Sequence, residues 1–362
     1  LVDGHNDLPY QFRQKGDSSF QQVDIARPQP KLHTDIPRLR QGGVGAQFWS
    51  AYVSTRTMKT GTSVKETLEQ IDVIHRMVKQ YPDTFAMAYS VEDILGIHKQ
   101  GKIASLIGVE GGHSIDNSLG VLRMYYALGV RYMTLTHTES LDWADSATDK
   151  PKSGGLSPFG EQVVLEMNRL GMLVDISHVS ADTMKHVLRV TKAPLIASHS
   201  SAYSLAEHPR NVPDDVLRLV AKNGGVIMVN FYSGFIVPEG ARASQEMFRQ
   251  YRELKDKYAN ETDLQAAFDQ WRKQHPFPTG SVHTVVDHIE HIIKIAGVDH
   301  VGLGSDFDGI NVVPKQLEDV SCYPNITQEL LNRGYKKAEI LKILGGNLLR
   351  TFREAEKVKV SH

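Results

Sequence analysis

The chain has 362 residues, 41% hydrophobic and 23% charged, the composition of an ordinary soluble globular protein. Its 41 Lys and Arg balance 42 Asp and Glu, which removes any general electrostatic drive toward nucleic acid or an anionic membrane and favours small or neutral partners. A single cysteine, Cys322, excludes an intrachain disulfide and a thiolate metal cluster, and no apolar run reaches the roughly 18 to 20 residues of a membrane span.

In chain order, short apolar or β-branched runs alternate with stretches of helical period. The first run, Leu1–His5, continues into HNDLP; if it stays extended to Asp7, His5 and Asp7 share a face. Seven more runs follow: Val44–Val53, Ile103–Val109, Arg131–Thr136, Met172–Ser177, Pro194–Ser198, Gly225–Phe231 and His300–Ser305. Each is short and continuously apolar, in the manner of a buried parallel strand. Between them, Val64–Val78, Gly160–Leu170, a helix starting at Pro213 and running through Val220, Val282–Ile295 and Lys337–Phe352 carry apolar residues on one helical face. About eight βα units in one chain predict an α/β fold of the (β/α)8 barrel type, with a doubly wound open sheet as the alternative.

One stretch departs from the repeat. Residues 238–278 are long, highly charged and helical, with Met247, Tyr251, Leu254 and Tyr258 at i, i+4, i+7 and i+11. This pattern predicts a packed helical excursion above the barrel mouth, acting either as a solvated hairpin or as a lid over a substrate. No Gly/Ser/Pro-rich linker divides the chain, so residues 1–362 are expected to form one domain.

Barrel enzymes keep their chemistry at the carboxyl ends of their strands. Six of the eight runs end in a histidine or a carboxylate: His5 with Asp7, Glu110, His137, His178, His199 and Asp306. Any one of these histidines alone reads as a hydrogen-bonded core residue; their convergence on strand ends does not. Three histidines and two carboxylates exceed what one catalytic zinc takes from protein. Two metals would use them all, with His5 and Asp7 on the first, His178 and His199 on the second, and Glu110 bridging. Such a carboxylate offsets the repulsion of two dications held about 3.5 Å apart, and the pair brings a shared water toward a pKa of about 7. Imidazole and carboxylate donors without thiolates point to Zn2+, with Mn2+ or Co2+ as the other candidates. Metal-assisted hydrolysis is the reaction class that follows.

The motifs HNDLP, GVEGGH, TLTH, DISHVS, SHSSAY, RNVPDD, GSDFDG and GGNLLR, in that order from Leu1 to about Phe352, resemble the renal or membrane dipeptidase family, a branch of the amidohydrolase-like barrels. The resemblance implies a binuclear zinc site on a (β/α)8 barrel and hydrolysis of dipeptides, with tolerance of a D-residue at the C-terminal position. It also implies roles by residue. His5, Asp7 and Glu110 match the ligands of one zinc, and Glu110, His178 and His199 those of the other. His137 matches the histidine that contacts substrate and steadies the oxyanion, Arg210 the arginine that holds the terminal carboxylate, and Asp306 the residue that handles the proton. A homodimer is implied as well. His113 is expected to support the loop after Glu110, Asp308 to fix the DFDG turn, and Asp145 to sit near the mouth.

Departures from the family pattern fall at Tyr10, where many relatives have tryptophan, at Phe235, where animal relatives have tyrosine, and in the long 238–278 excursion. Tyr10 is therefore a candidate substrate-binding position. With one cysteine and a polar KVKVSH end lacking a lipid-anchor signal, the chain resembles a soluble bacterial member. The expected compartment is the cytoplasm or, if an upstream signal was removed, the periplasm or exterior. Asn260 and Asn325 open N-x-T triplets that matter only in a glycosylating host. Two rival functions follow from the same residues: hydrolysis of a cyclic amide, β-lactam or N-acyl amino acid, and metal or peptide binding without turnover.

Overall fold

In the computed structural model, which describes residues 1–16, 18–258 and 261–360, the eight expected runs are all parallel strands. They are β1 (Val2–Asn6), β2 (Ala46–Tyr52), β4 (Ile103–Glu110), β5 (Val130–Thr134), β6 (Leu173–Asp175), β7 (Ile196–Ala197), β8 (Val226–Val229) and β9 (Val301–Leu303). A ninth, β3 (Phe85–Met87), was not foreseen; three residues are too few to show a period. The ladder runs β1, β2, β4, β5, β6, β7, β8, β9 and back to β1, which closes an eight-stranded barrel. β3 shares one edge of β4 with β5, pairing with Ile103 to Ser105 while β5 pairs with Ile107 to Glu110. The fold is a (β/α)8 barrel, and the open-sheet alternative is set aside.

Helices between the strands start and stop where local chemistry dictates. Ser157, Ser180 and Ser118 accept backbone N–H groups at the starts of the helices Pro158–Leu170, Ala181–Val190 and Leu119–Ala127. Gly171 and Gly224 end the helices Pro158–Leu170 and Asp214–Asn223 in left-handed conformation. Their buried faces pack on the barrel's outer surface, while Phe48, Leu106, Tyr132, Leu173 and Met228 form a separate inner cluster.

Two sequence expectations need correction. β1 is not evenly extended through Asp7: its register to β2 slips by one residue between Asp3 and Asn6, a bulge that re-aims His5, and Asp7 lies beyond the strand. The late amphipathic stretch is not one helix but Lys337–Leu341 and Asn347–Val358, joined by a kinked turn at Gly345 with φ 154°. A Cβ on Gly345 would lie 2.7 Å from the Val2 side chain, so the break lets this backbone close against the start of β1. The 238–278 excursion is two helices, Pro238–Lys257 and Glu261–Gln274, and its first helix does reach the barrel mouth. Asn260 lies outside the described residues. Among the described residues, no helix is long and apolar enough to cross a membrane.

Candidate metal centre and substrate cavity

The polar strand ends meet above the inner cluster. Glu110 closes β4 with its two oxygens turned to different partners. Oε1 lies 3.0 Å from His178 Nε2, 3.4 Å from His199 Nε2 and 3.6 Å from His137 Nε2. Oε2 lies 3.6 Å from His5 Nε2 and accepts the Ser50 hydroxyl at 3.2 Å. His5 Nε2 is also 3.2 Å from Asp7 Oδ2, and His178 and His199 bring their Nε2 atoms within 2.9 Å of each other. The sequence-derived metal candidates therefore converge in one buried cluster, and Glu110 spans its two halves.

The hydrogen bonds behind these side chains decide what the inward nitrogens carry. Asp175, fully buried beneath the site, accepts the Ser198 hydroxyl at 2.6 Å, so the oxygen of Ser198 must accept from His199 Nδ1, 2.7 Å away. That leaves His199 Nε2 with a bare lone pair aimed into the cluster. His5 Nδ1 shares a 2.7 Å hydrogen bond with the Tyr132 hydroxyl, and its buried Nε2 is turned into the cluster toward Asp7 and Glu110. Imidazole nitrogens held this way, each backed by an outer partner and facing carboxylates, form a donor set that fits divalent cations. The Tyr132 ring reaches this position because residue 108 is glycine; a Cβ there would lie 2.0 Å from the ring.

Charge follows the same geometry. Burial alone would raise Glu110, but His5 and His137 beside it outweigh burial and hold it well below the usual carboxylate range. Burial pushes His178 and His199 well down, which keeps both neutral and able to donate lone pairs. His137 is lowered to about 4, again chiefly by burial. Asp306 moves the other way: burial raises its carboxyl to about 8, with Asp7 and Glu110 adding to the rise. His178 and Asp306 both leave their strands with positive φ, 66° and 64°, a conformation that costs about 1–3 kcal/mol for a residue with a side chain and recurs at functional sites.

A cavity of about 510 Å³ opens over the cluster, a size suited to a small ligand. Asp7, Tyr10, Glu110, His137, His178, Arg210 and Asp306 all line it. Arg210 is 2% exposed, and its guanidinium carbon stands 5.2 Å from the centre of the Phe235 ring. Its guanidinium makes two long hydrogen bonds, to Ser200 Oγ and the His199 carbonyl, both at 3.4 Å, and among the described residues no carboxylate pairs with it. Burial lowers it to about 10, so it stays charged at neutral pH. Tyr10 meets Tyr52 edge-on at 4.9 Å, and Tyr52 packs on His137 at 4.8 Å.

The residues read as supporting take such places. His113 Nε2 binds the Val53 carbonyl at 3.0 Å, and Asp308 accepts the His33 N–H at 2.8 Å while its own N–H donates to His33 Nδ1. Asp145 accepts three backbone N–H groups from Lys152, Ser153 and Gly155, so it organises a loop and does not line the cavity. Sequence reasoning missed Asp175 and Asn230. Asn230 donates from Nδ2 to Asp306 Oδ2 at 2.8 Å, and its Oδ1 accepts the Tyr232 N–H at 2.6 Å, which fixes the orientation of the amide. A charged residue inside the apolar run MLVDIS was the available signal for Asp175, because a buried carboxylate needs partners.

A parallel barrel with imidazoles and carboxylates gathered at the carboxyl ends of its strands is the architecture of metal-dependent barrel hydrolases. The sequence profile of the family described as membrane dipeptidase (peptidase family M19) matches residues 1–362, and the chain belongs to that family. By class it is a metallo-dipeptidase. It is 43% identical to dipeptidase aclJ of Aspergillus oryzae over 99% of this chain and 78% of that protein. It is also 43% identical to dipeptidase 3 of Macaca fascicularis, over 99% of this chain and 66% of that longer protein. The crystal structure of the probable dipeptidase PvdM from Pseudomonas aeruginosa shares the fold with a TM-score of 0.81 at 27% identity, across 92% of this chain and 91% of that one.

Proposed function

We propose that the chain hydrolyses free dipeptides, with either configuration allowed at the C-terminal residue, using two zinc ions. His5 and Asp7 would hold one ion and His178 and His199 the other, with Glu110 bridging. When bound, the ions supply Lewis acidity toward the scissile carbonyl and an activated water. Support comes chiefly from one pairing: the convergent imidazole and carboxylate cluster shares its cavity with a buried guanidinium that, among the described residues, has no carboxylate partner.

The chain's own groups then divide the work. Arg210 takes the substrate's terminal carboxylate, for which the planar guanidinium offers two parallel donors. His137, kept neutral by burial, presents an N–H to the carbonyl oxygen as negative charge develops there. Asp306, whose carboxyl burial raises to about 8 before any cation is bound, would be ionised by two cations beside it and, steadied at Oδ2 by Asn230, would then accept a proton at its other oxygen and pass it to the leaving amine. Tyr10 lines the cavity and bears on which side chains fit.

Elemental analysis of the purified protein, alongside hydrolysis of an L-L and L-D dipeptide panel with and without chelator, tests the proposal. About two zinc per chain and chelator-sensitive cleavage of both series are expected. Metal without dipeptide cleavage would shift the substrate to another amide, and no metal after reconstitution would undo the ligand assignment. Arg210→Ala should raise KM for free dipeptides by about 10- to 100-fold, the worth of a charge-assisted hydrogen bond of roughly 1.5–3 kcal/mol. Equal damage with carboxyl-amidated dipeptides would remove the anchor role.

A further inference from the structure

The helix Pro238–Lys257 places two side chains on the substrate cavity, Met247 and Phe248. Phe248 is tied to the proposed carboxylate anchor through a short ring stack. Its ring lies 6.2 Å from His208, His208 lies 4.5 Å from Phe235, and the Arg210 guanidinium stands over Phe235. His208 is fully buried, and its Nδ1 accepts the Arg210 backbone N–H at 3.1 Å. Asn211 locks the same loop, donating to the Phe235 carbonyl at 2.6 Å and accepting the Ser201 N–H. The position of Phe248 is therefore set relative to Arg210, not merely relative to the rest of the excursion.

Behind Phe248 lies a second cavity of about 490 Å³, and Phe248 and Thr148 line both spaces. A carboxylate gripped by Arg210 holds the α-carbon of the C-terminal residue beside Phe235, so that residue's side chain has to meet the wall that Phe248 forms. We propose that Phe248 is a specificity-determining residue whose ring limits the size of the substrate's C-terminal side chain by shutting the reaction cavity off from the outer one. The inference rests on the reading of Arg210 as the carboxylate anchor of a dipeptide.

The test compares kcat/KM for Ala-Gly, Ala-Phe and Phe-Gly in the wild type, Phe248→Ala, Phe248→Leu and Tyr251→Ala. Tyr251 sits on the same helix and packs on Phe268 at 5.0 Å, so its loss loosens the excursion without removing the wall. The Ala-Phe to Ala-Gly ratio should rise about tenfold or more in Phe248→Ala, since even one methylene in an apolar pocket is worth about tenfold. It should rise less in Phe248→Leu and stay level in Tyr251→Ala, and the Phe-Gly to Ala-Gly ratio should not follow it. An unchanged ratio in both Phe248 variants overturns the inference, as does an equal rise in Tyr251→Ala or a change confined to Phe-Gly. If Phe248→Ala does not fold, Phe248→Leu carries the test. A wild type that cleaves no dipeptide overturns the dipeptidase reading, and this inference with it.

Discussion

Asp306→Asn is expected to keep its metal and lose turnover by about 10²- to 10⁴-fold, the usual contribution of a positioned acid or base. The substitution preserves shape. Asn230 donates to Asp306 Oδ2, and its orientation is fixed by the Tyr232 N–H, so an asparagine carbonyl at residue 306 can take that hydrogen bond unchanged. Its amide nitrogen then occupies the Oδ1 position, which lies in close quarters: a Cβ on Gly309 would come within 2.7 Å of that oxygen and 2.2 Å of Asp7 Oδ2. What disappears is the ability to accept a proton there. Because Asp306 is outside the proposed ligand set, elemental analysis should still give about two ions per chain. Substrate affinity, which the proposed Arg210 anchor would govern, should move little, so the loss belongs in kcat. A variant with near-normal kcat would remove Asp306 from proton transfer, and one that loses metal would make it a ligand instead.

The barrel was legible because strands buried on both faces must be continuously apolar, and each such run stops where a polar residue leaves the sheet. His137, His178, His199 and Asp306 lie two or three residues beyond the ends of β5, β6, β7 and β9, at the close of the apolar runs, which made the candidate site readable from the same pattern. Features that depend on a second chain segment were not readable. The bulge in β1 exists only as a register slip against β2, and it, rather than strict alternation, turns His5 toward Glu110. The kink at Gly345 answers to Val2, more than 300 positions away in the chain. The periodicity of the excursion picked out Met247, which lines the cavity, and Tyr251, which packs on Phe268, yet Phe248 falls off that stripe and lines the cavity as well.

The relay beneath His199 illustrates why the proposed ligand set was easier to pick out than its support. Histidine and carboxylate at strand ends announce themselves by residue type. Asp175, Ser198 and Ser177 are ordinary polar residues whose function lies in direction: Asp175 collects the Ser198 hydroxyl and the backbone N–H groups of Ser177 and Ser198, and so settles which nitrogen of His199 is free. The lone pair that this arrangement secures on His199 Nε2 is what a cation would use.

Glu110→Gln is expected to have the widest effect of any single change, reducing bound metal below two per chain and abolishing turnover to within background. The change keeps the size of the side chain and removes one negative charge that faces both halves of the cluster. In the wild type, Oε1 looks toward His178 and His199 and Oε2 toward His5 and the Ser50 hydroxyl. A glutamine has only one oxygen for these two directions. Turned one way, its NH2 group confronts His178 and the bare nitrogen of His199; turned the other, it confronts His5. Either half then loses a lone pair, and the charge that would offset two dications is gone. Loss of a ligand should exceed the ~10- to 100-fold loss of metal affinity that outer-shell changes cause. A readout independent of catalysis is thermal stability, since a bound ion stabilises the folded state by mass action. Added zinc should raise the melting temperature of metal-free wild type clearly and that of Glu110→Gln much less. An equal rise in both proteins, with two ions retained, would show that the two halves of the cluster do not depend on a shared carboxylate.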